Sequence, residues 1–248
     1  MQSARNALVA GGTGLVGREL LTLLGEENLY GHVTSLVRRE MVAAARVENH
    51  VVSFDDLDRS ELPEVDDAYC CLGTTRRVAG SDEAFRKVDF DYVLAFARAA
   101  QRAGAVRFLL VSAMGANTQS RIFYTRVKGE VEAAVSALGF PVVGIVRPSF
   151  LVGHRAKARR GEMAALVVSH VVTPLMVGPL RRFRPIEARV VATGLIHLAF
   201  TAQERVNVLS SEAIEAAVIE DIRAQTTRAG GEPARRDSSQ PSNCKQSN

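Results

Sequence analysis

Short apolar runs alternate with amphipathic stretches through the first 150 residues of the chain. The apolar runs predict six strands, in the segments 7–10, 32–39, 48–57, 66–75, 106–116 and 141–153. Leucine and alanine at helical spacing predict helices in the segments 17–24, 83–103 and 123–139. Near-continuous apolar strands are typical of a parallel sheet that is covered on both faces. The alternation therefore predicts a doubly wound α/β domain, the Rossmann fold.

The second half of the chain is less regular. Segment 185–200 predicts a helix that returns to the sheet, and the elements of about 150–200 are expected on the substrate side. From residue 224 the composition becomes polar, rich in Arg, Gly, Ser, Pro, Gln and Asn. Such a segment cannot bury enough apolar surface to fold. We therefore predict one domain over residues 1–223 and a disordered tail over 224–248.

Segment 163–180 carries no charged residue, and its 18 residues just reach the length of a membrane span. His170, Pro174 and the Gly178-Pro179 pair interrupt it, and proline breaks or kinks a helix. We interpret the segment as a buried helix followed by a loop, or as part of a substrate or partner surface. Membrane contact is kept as the less favoured alternative.

Composition narrows the function classes. The 248 residues carry a net charge of +4, but the arginines are scattered and only 6% of residues are aromatic. This pattern does not favour a nucleic-acid-binding protein, which typically has a basic stripe with aromatic residues. The three cysteines show neither metal-binding spacing nor a disulfide framework, so no metal is predicted. Without a signal-peptide pattern at the N-terminus, we predict a cytoplasmic location.

A glycine-rich turn follows the first strand and opens the first helix. It reads both as Gly12-x-Gly14-x-x-Gly17 and as Gly11-x-x-Gly14-x-x-Gly17. Glycines let the backbone approach a pyrophosphate, and the helix N-terminus supplies N–H groups for it. A turn without a ligand would have the same glycines, but the strand–turn–helix context favours dinucleotide binding.

Arg38 and Arg39 stand at the end of the second strand, about 20 residues after the glycines. An acidic residue there would hold the ribose of NAD, whereas arginine suits the 2′-phosphate of NADP. Glu40 is adjacent, and a solvated basic loop is the alternative. The pair favours NADP(H) over NAD(H).

Further motifs follow in order: Ser112 after the fifth strand, Tyr124-x-x-x-Lys128, and Arg147-Pro148 after the sixth strand. With the glycine turn, they resemble the atypical or extended short-chain dehydrogenases/reductases. The strings "CLGTTR" and "YTRVKGEVE" are similar to the branch of the Tat-interactive protein and its bacterial relatives. The resemblance covers about residues 5–223.

The resemblance implies a cofactor site and a catalytic group. The cofactor-binding positions that match are Gly11, Thr13, Gly14, Leu15 and Val16 in the turn, Asp55 and Leu57 after the third strand, Leu72, Gly73 and Thr74 after the fourth, and Pro148 and Ser149 after the sixth. Asp55 should contact the adenine, and Pro148 and Ser149 the nicotinamide. Ser112, Tyr124 and Lys128 would be catalytic.

The chemistry of these three residue types fits hydride transfer at a carbon bearing oxygen, because a proton must move on that oxygen. A lysine ammonium one helical turn from Tyr124 should lower the phenol pKa from its usual value of about 10. Lys128 could also bind the nicotinamide ribose, and Ser112 would donate a hydrogen bond to the substrate oxygen.

We therefore expect an NADP(H)-dependent oxidoreductase, or an epimerase-like enzyme, acting on a carbonyl, alcohol or nucleotide-sugar-like substrate. The alternative is a catalytically weak NADP(H)-binding redox sensor or scaffold that docks a protein partner. The Ser112-to-Tyr124 gap is short for extended reductases and indicates a compact, atypical form. Related reductases often form homodimers through the helices that match 83–103 and 122–138. Arg155, Arg159 and Arg160 would face either solvent or an anionic substrate.

Overall fold

The computed structural model describes residues 4–26, 29–40, 42–152 and 182–230. Two sequence features lie outside these ranges. They are the uncharged segment 163–180 and the arginines at positions 155, 159 and 160. Most of the polar tail, residues 231–248, is likewise outside the described residues.

Seven parallel strands form one sheet in the order β3-β2-β1-β4-β5-β6-β9. The strands are β1 (Asn6–Ala10), β2 (His32–Val37), β3 (Glu48–Val51), β4 (Asp67–Cys70), β5 (Arg107–Val111), β6 (Val142–Arg147) and β9 (Val206–Ser210). A separate parallel pair joins β7 (Leu151–Val152) to β8 (Ile186–Glu187). The sheet confirms the predicted doubly wound α/β fold. Strand β9 was not predicted, because it is a half-exposed edge strand without a continuous apolar run.

Helices cover both faces of the sheet. They are α1 (Leu15–Glu26), α2 (Arg76–Ala79), α3 (Asp82–Arg86), α4 (Tyr92–Arg102), α5 (Phe123–Ala137), α6 (Ala188–Thr201) and α7 (Ser211–Gly230). The single helix predicted over 83–103 is divided, because a π-helical turn over Lys87–Asp91 joins α3 to α4. Helix α7 runs to Gly230, past residue 224 where the polar tail was predicted to begin, and the domain boundaries stay a prediction. Within the described ranges, no helix is both long and apolar enough to cross a membrane.

The apolar core lies in two layers, one on each face of the sheet. Phe96, Val131 and Phe140 represent the layer under α4 and α5. Leu20 and Leu195 represent the layer under α1 and α6. Burial on both faces explains why the central strands are apolar at consecutive positions rather than at alternate ones.

A polar cluster sits at the amino-terminal edge of the sheet, opposite the glycine turn. The carboxylate of Asp67, at the start of β4, is fully buried. It forms ion pairs with Arg107 at 2.9 Å and with Arg5 at 3.1 Å, and it accepts a hydrogen bond from the Tyr30 hydroxyl at 2.6 Å. The Tyr30 hydroxyl also lies 2.7 Å from that of Tyr69. Burial raises the pKa of both phenols, and Asp67 adds to the effect. These groups satisfy one another and join β4 and β5 to the segments that precede β1 and β2.

We expect Asp67→Ala to lower the free energy of unfolding by about 3 kcal/mol. Two guanidinium groups would lose their counter-charge, and the Tyr30 hydroxyl would lose its acceptor. Urea unfolding followed by circular dichroism measures the change. Tyr30→Phe is the control, and it should cost about 1 kcal/mol because it removes hydrogen bonds but no charge. Equal losses in both variants would contradict the assigned role of the ion pairs.

Candidate active site

The predicted site residues gather at the carboxyl ends of the parallel strands. The glycine turn follows β1, the loop of residues 71–75 follows β4, Ser112 follows β5, and Pro148 follows β6. Ligands of open parallel sheets bind in the crevice outside these strand ends. The fold thus brings distant parts of the sequence to one edge of the sheet.

The glycine turn is built so that the backbone passes closely over itself. Gly11 has φ +86°, and a Cβ there would lie 2.4 Å from the carbonyl carbon of Cys71. A Cβ on Gly17 would lie 2.2 Å from the carbonyl oxygen of Gly11. The Gly14 N–H donates to that same oxygen at 3.0 Å. Neither glycine tolerates a side chain, which is the feature that a pyrophosphate-binding turn requires.

The beginning of α1 faces the same crevice. The Arg18 N–H donates to the Gly14 carbonyl at 3.1 Å, and the N–H groups of the first turn before it have no partner within the helix. Thr13 and Gly14 are exposed, and Leu15 is half-buried. Val16 packs its side chain in the core, so only its backbone can face a ligand. The turn and helix start fit the phosphates of a dinucleotide.

Arg38 and Arg39 follow β2 directly and are exposed. In the part of the chain that the structure describes, neither guanidinium forms an ion pair. Both side chains are therefore exposed to solvent beside the carboxyl end of β2. This arrangement is compatible with the predicted preference for NADP(H).

Asp55 and Leu57, the two cofactor-binding residues predicted after β3, both contact neighbouring parts of the chain. Asp55 accepts from the Lys87 ammonium at 2.7 Å and from the Tyr92 hydroxyl at 3.1 Å, and these bonds lower its pKa. The side chain of Leu57 is fully buried, and its carbonyl accepts from Ser60. Asp55 remains exposed enough to meet a ligand, whereas Leu57 has no surface for one.

The loop after β4 is tied to the helix that follows it. Leu72 is half-buried and Gly73 is exposed. The Thr74 N–H donates to Oδ2 of Asp89 at 2.8 Å. Gly73 lies close to this carboxylate, because a Cβ on it would be 3.4 Å from Oδ1 of Asp89 and 3.7 Å from Nζ of Lys128. The predicted cofactor loop and the predicted catalytic lysine are therefore in contact with one buried acid.

Ser112 is nearly fully buried, and its hydroxyl has no hydrogen-bond partner among the described residues. Its N–H is satisfied by the Val146 carbonyl at 2.8 Å. The loop after Ser112 is anchored to the first turn of α5 by a bond from the Asn117 N–H to the Thr125 carbonyl at 3.0 Å. A buried hydroxyl without a partner is rare, and at this edge of the sheet it fits a group that meets a ligand.

Tyr124 and Lys128 lie one turn apart on α5, as the spacing predicted. Tyr124 packs against Phe85, with ring centroids 5.6 Å apart. The buried ammonium of Lys128 lies 2.7 Å from Oδ1 of the fully buried Asp89. This ion pair joins α5 to the π-helical turn between α3 and α4.

The predicted lowering of the Tyr124 pKa by Lys128 is wrong in its net direction. Burial raises the pKa of Tyr124 above its usual value, and the Asp89 carboxylate raises it further. Lys128 alone acts in the predicted direction, and its effect is smaller than that of burial. Burial opposes the charge on Lys128, but Asp89 holds the lysine pKa above its usual value.

The residues after β6 are largely engaged with other parts of the chain. Pro148 is buried, and its carbonyl accepts from the Met114 N–H at 2.9 Å. The Ser149 N–H donates to Oγ of Ser211 at 2.7 Å, and its hydroxyl donates to the Arg184 carbonyl. The Ser149 hydroxyl is therefore already engaged within the chain and is not free to bind a ligand.

Asp89 was missed in the sequence although a signal was present. Phe85, Asp89, Val93 and Ala97 follow one another at four-residue steps, and all four are buried. A carboxylate within such an apolar row requires a buried partner, because an unpaired buried charge is very costly. The sequence pattern could have indicated the residue, but not that its partner is Lys128.

Comparison with known proteins agrees with this geometry. A family described as NAD(P)H-binding matches residues 11–163. The protein HTATIP2 of Rattus norvegicus is 39% identical over 167 residues, which cover 65% of this chain and 69% of the relative. "Protein FMP52, mitochondrial" of Eremothecium gossypii is 40% identical over 158 residues, which cover 63% and 70%. These relatives agree with the resemblance drawn from the motifs.

Two solved structures share the fold at low sequence identity. The human epimerase family protein SDR39U1 with NADPH is 20% identical, with a TM-score of 0.56, over 83% of this chain and 74% of that chain. MoeE5 in complex with UDP-glucose and NAD is 15% identical, with a TM-score of 0.61, over 87% and 81%. Both support the Rossmann architecture.

Proposed function

Because the chain belongs to the NAD(P)H-binding family, we propose that it is an NADP(H)-dependent oxidoreductase that interconverts a carbonyl and a hydroxyl group. The observation that carries this proposal is the buried, unpartnered hydroxyl of Ser112 at the sheet edge that also holds Tyr124 and Lys128. An unpartnered buried hydroxyl at this edge fits a group that meets a ligand. A bound nicotinamide supplies or accepts the hydride.

The residues of the chain have distinct tasks in this proposal. The glycine turn and the first N–H groups of α1 bind the pyrophosphate. Ser112 donates a hydrogen bond to the substrate oxygen and holds it in position. Tyr124 gives its phenol proton to that oxygen during reduction and takes a proton from it during oxidation. Lys128 places a positive charge beside the phenol.

The cofactor preference rests on Arg38 and Arg39. We expect the double variant Arg38→Ala/Arg39→Ala to weaken NADPH binding by about a hundredfold or more, since it removes two charge-assisted hydrogen bonds of about 1.5–3 kcal/mol each. Binding of NADH should not change, because it has no 2′-phosphate. Titration of nicotinamide fluorescence measures both affinities.

Arg98→Ala, which removes an exposed arginine on α4, is the control for net charge. It should leave both affinities unchanged. Tighter binding of NADH than of NADPH by the natural chain would contradict the proposed preference. Equal weakening of both cofactors in the double variant would assign these arginines a general electrostatic role.

The reaction itself is tested with a panel of aldehydes, ketones, alcohols and nucleotide sugars, followed by nicotinamide absorbance. Turnover of any of them that depends on Ser112 supports the oxidoreductase. Tight NADPH binding without turnover would instead support the alternative, a redox-sensing regulator or scaffold that docks a protein partner. A cytoplasmic location and a homodimer stay predictions, and the FMP52 relatives are themselves named mitochondrial.

A further inference from the structure

Asp89 is a buried charged residue in an interrupted helix. The helix that begins as α3 widens to a π-helical turn over Lys87–Asp91 and continues as α4. Such π-helical turns are rare, and they occur frequently at functional sites. Here the turn carries the carboxylate of Asp89 inward, fully buried, to the loop after β4 and to α5.

Each carboxylate oxygen of Asp89 has a separate partner. Oδ1 lies 2.7 Å from the Lys128 ammonium, and Oδ2 accepts from the Thr74 N–H at 2.8 Å. One side chain thereby connects the predicted cofactor loop with the predicted catalytic helix. Gly73 covers the ion pair, since a Cβ on it would lie within 4 Å of both charged groups.

The charged and titratable groups near Tyr124 lie on several elements of the fold. Lys128 faces it from the same helix and Asp89 from the π-helical turn. Cys70 of β4 lies near Lys128, but burial raises its thiol pKa to about 12, so it is neutral at physiological pH. The Arg86–Glu130 ion pair between α3 and α5 is also neutral overall. The buried group of Asp89, Lys128 and Tyr124 thus has no net charge while the phenol keeps its proton.

We propose that Asp89 is a positioning residue that neutralises Lys128 within the site and thereby keeps Tyr124 as a phenol, the form that donates a proton to a carbonyl oxygen. This inference rests on the proposed function, because a protonated Tyr124 is the form that carbonyl reduction requires. In that reaction the carbonyl carbon would receive hydride from a bound reduced nicotinamide. The Tyr124 proton goes to the oxygen, and the phenolate is then reprotonated from solvent.

The ionisation of Tyr124 can be measured without cofactor or substrate. The chain has four tyrosines and no tryptophan, so phenolate absorbance is readily resolved. The pKa values of Tyr30 and Tyr69 are raised by burial far beyond those of exposed phenols. Subtracting the titration of a matching Tyr124→Phe variant from each protein therefore isolates Tyr124.

Two single variants should shift the ionisation of Tyr124 in opposite directions, and the double variant should cancel the shifts. Asp89→Asn leaves the group positively charged, and Tyr124 should ionise about one to three pH units lower than in the natural chain. Lys128→Gln leaves it negatively charged, and the ionisation should move upward. The double variant Asp89→Asn/Lys128→Gln restores neutrality, and its ionisation should return toward that of the natural chain. Circular dichroism verifies that each variant is folded.

A shift of the two single variants in the same direction, or no shift in either, would overturn the role of Asp89. If one single variant does not fold, the other single variant and the double variant decide the sign. The titration tests the electrostatic role of Asp89, and the turnover assay tests the proposed oxidoreductase. Either proposal can therefore fail without the other. Opposite shifts with no turnover on the panel would keep the electrostatic role and reject the oxidoreductase, whereas turnover without the shifts would do the reverse.

Discussion

Tyr124→Phe is expected to lower kcat for carbonyl reduction by about a hundredfold to ten-thousandfold, the usual contribution of a positioned acid. Affinity for NADPH should be unchanged, because the phenol hydroxyl has no part in the phosphate contacts. The ring still fills its place against Phe85, so the fold should be retained. Steady-state kinetics on a substrate found in the panel, together with cofactor titration, measure the two effects.

Tyr92→Phe is the matched control for this substitution. Tyr92 lies at the start of α4, and its hydroxyl donates to Asp55 at 3.1 Å. The control removes the same atom near the same sheet edge but from outside the proposed catalytic group. It should leave kcat intact. Tyr124→Phe with undiminished kcat would show that another group or water donates the proton.

The pH dependence follows from the raised pKa of Tyr124. Reduction requires the phenol, which remains protonated from neutral pH to beyond its usual value of about 10. The chemical step of reduction should therefore be independent of pH over this range. Oxidation requires the phenolate, and its rate should rise about tenfold per pH unit below the pKa. A reduction rate that falls between pH 7 and 9 would contradict the acid role of Tyr124.

The sequence pattern predicted the central strands of the sheet because these strands are buried on both faces. Strands such as β1 and β5 are apolar at consecutive positions, and the glycine turn identifies the first crossover. Strand β9 and the π-helical turn carry no comparable local signal. A half-exposed edge strand has neither a continuous apolar run nor a clear alternation, and a single extra residue in a helix does not disturb its composition.

The positions of the candidate catalytic residues were predictable, but the balance of charges was not. Spacing alone places Tyr124 beside Lys128, and it indicates an attraction between the ammonium and a phenolate. The net effect depends on burial and on Asp89, a residue 39 positions before Lys128 in the chain. Such terms arise from tertiary packing, so they could be obtained only from the structure.

Gly11→Ala is expected to abolish most cofactor binding and to destabilise the fold. A Cβ in this left-handed conformation costs about 1–2 kcal/mol. Its overlap with the Cys71 carbonyl carbon, at 2.4 Å, adds about 1–3 kcal/mol. Because backbone cannot rotate away as a side chain can, the turn itself must shift. NADPH affinity should fall by about a hundredfold, as expected when amide contacts to phosphate are lost.

Gly139→Ala is the control for Gly11→Ala, because it introduces the same backbone strain without the atomic overlap. Gly139 has the same φ of +86° at the end of α5, but a Cβ there would meet nothing within 4 Å. Its substitution should therefore carry only the conformational cost and leave NADPH binding unchanged. Thermal unfolding and cofactor titration of the two variants test this difference. Equal losses of stability would contradict the overlap at Gly11, and intact NADPH binding in Gly11→Ala would mean that the cofactor does not depend on this turn.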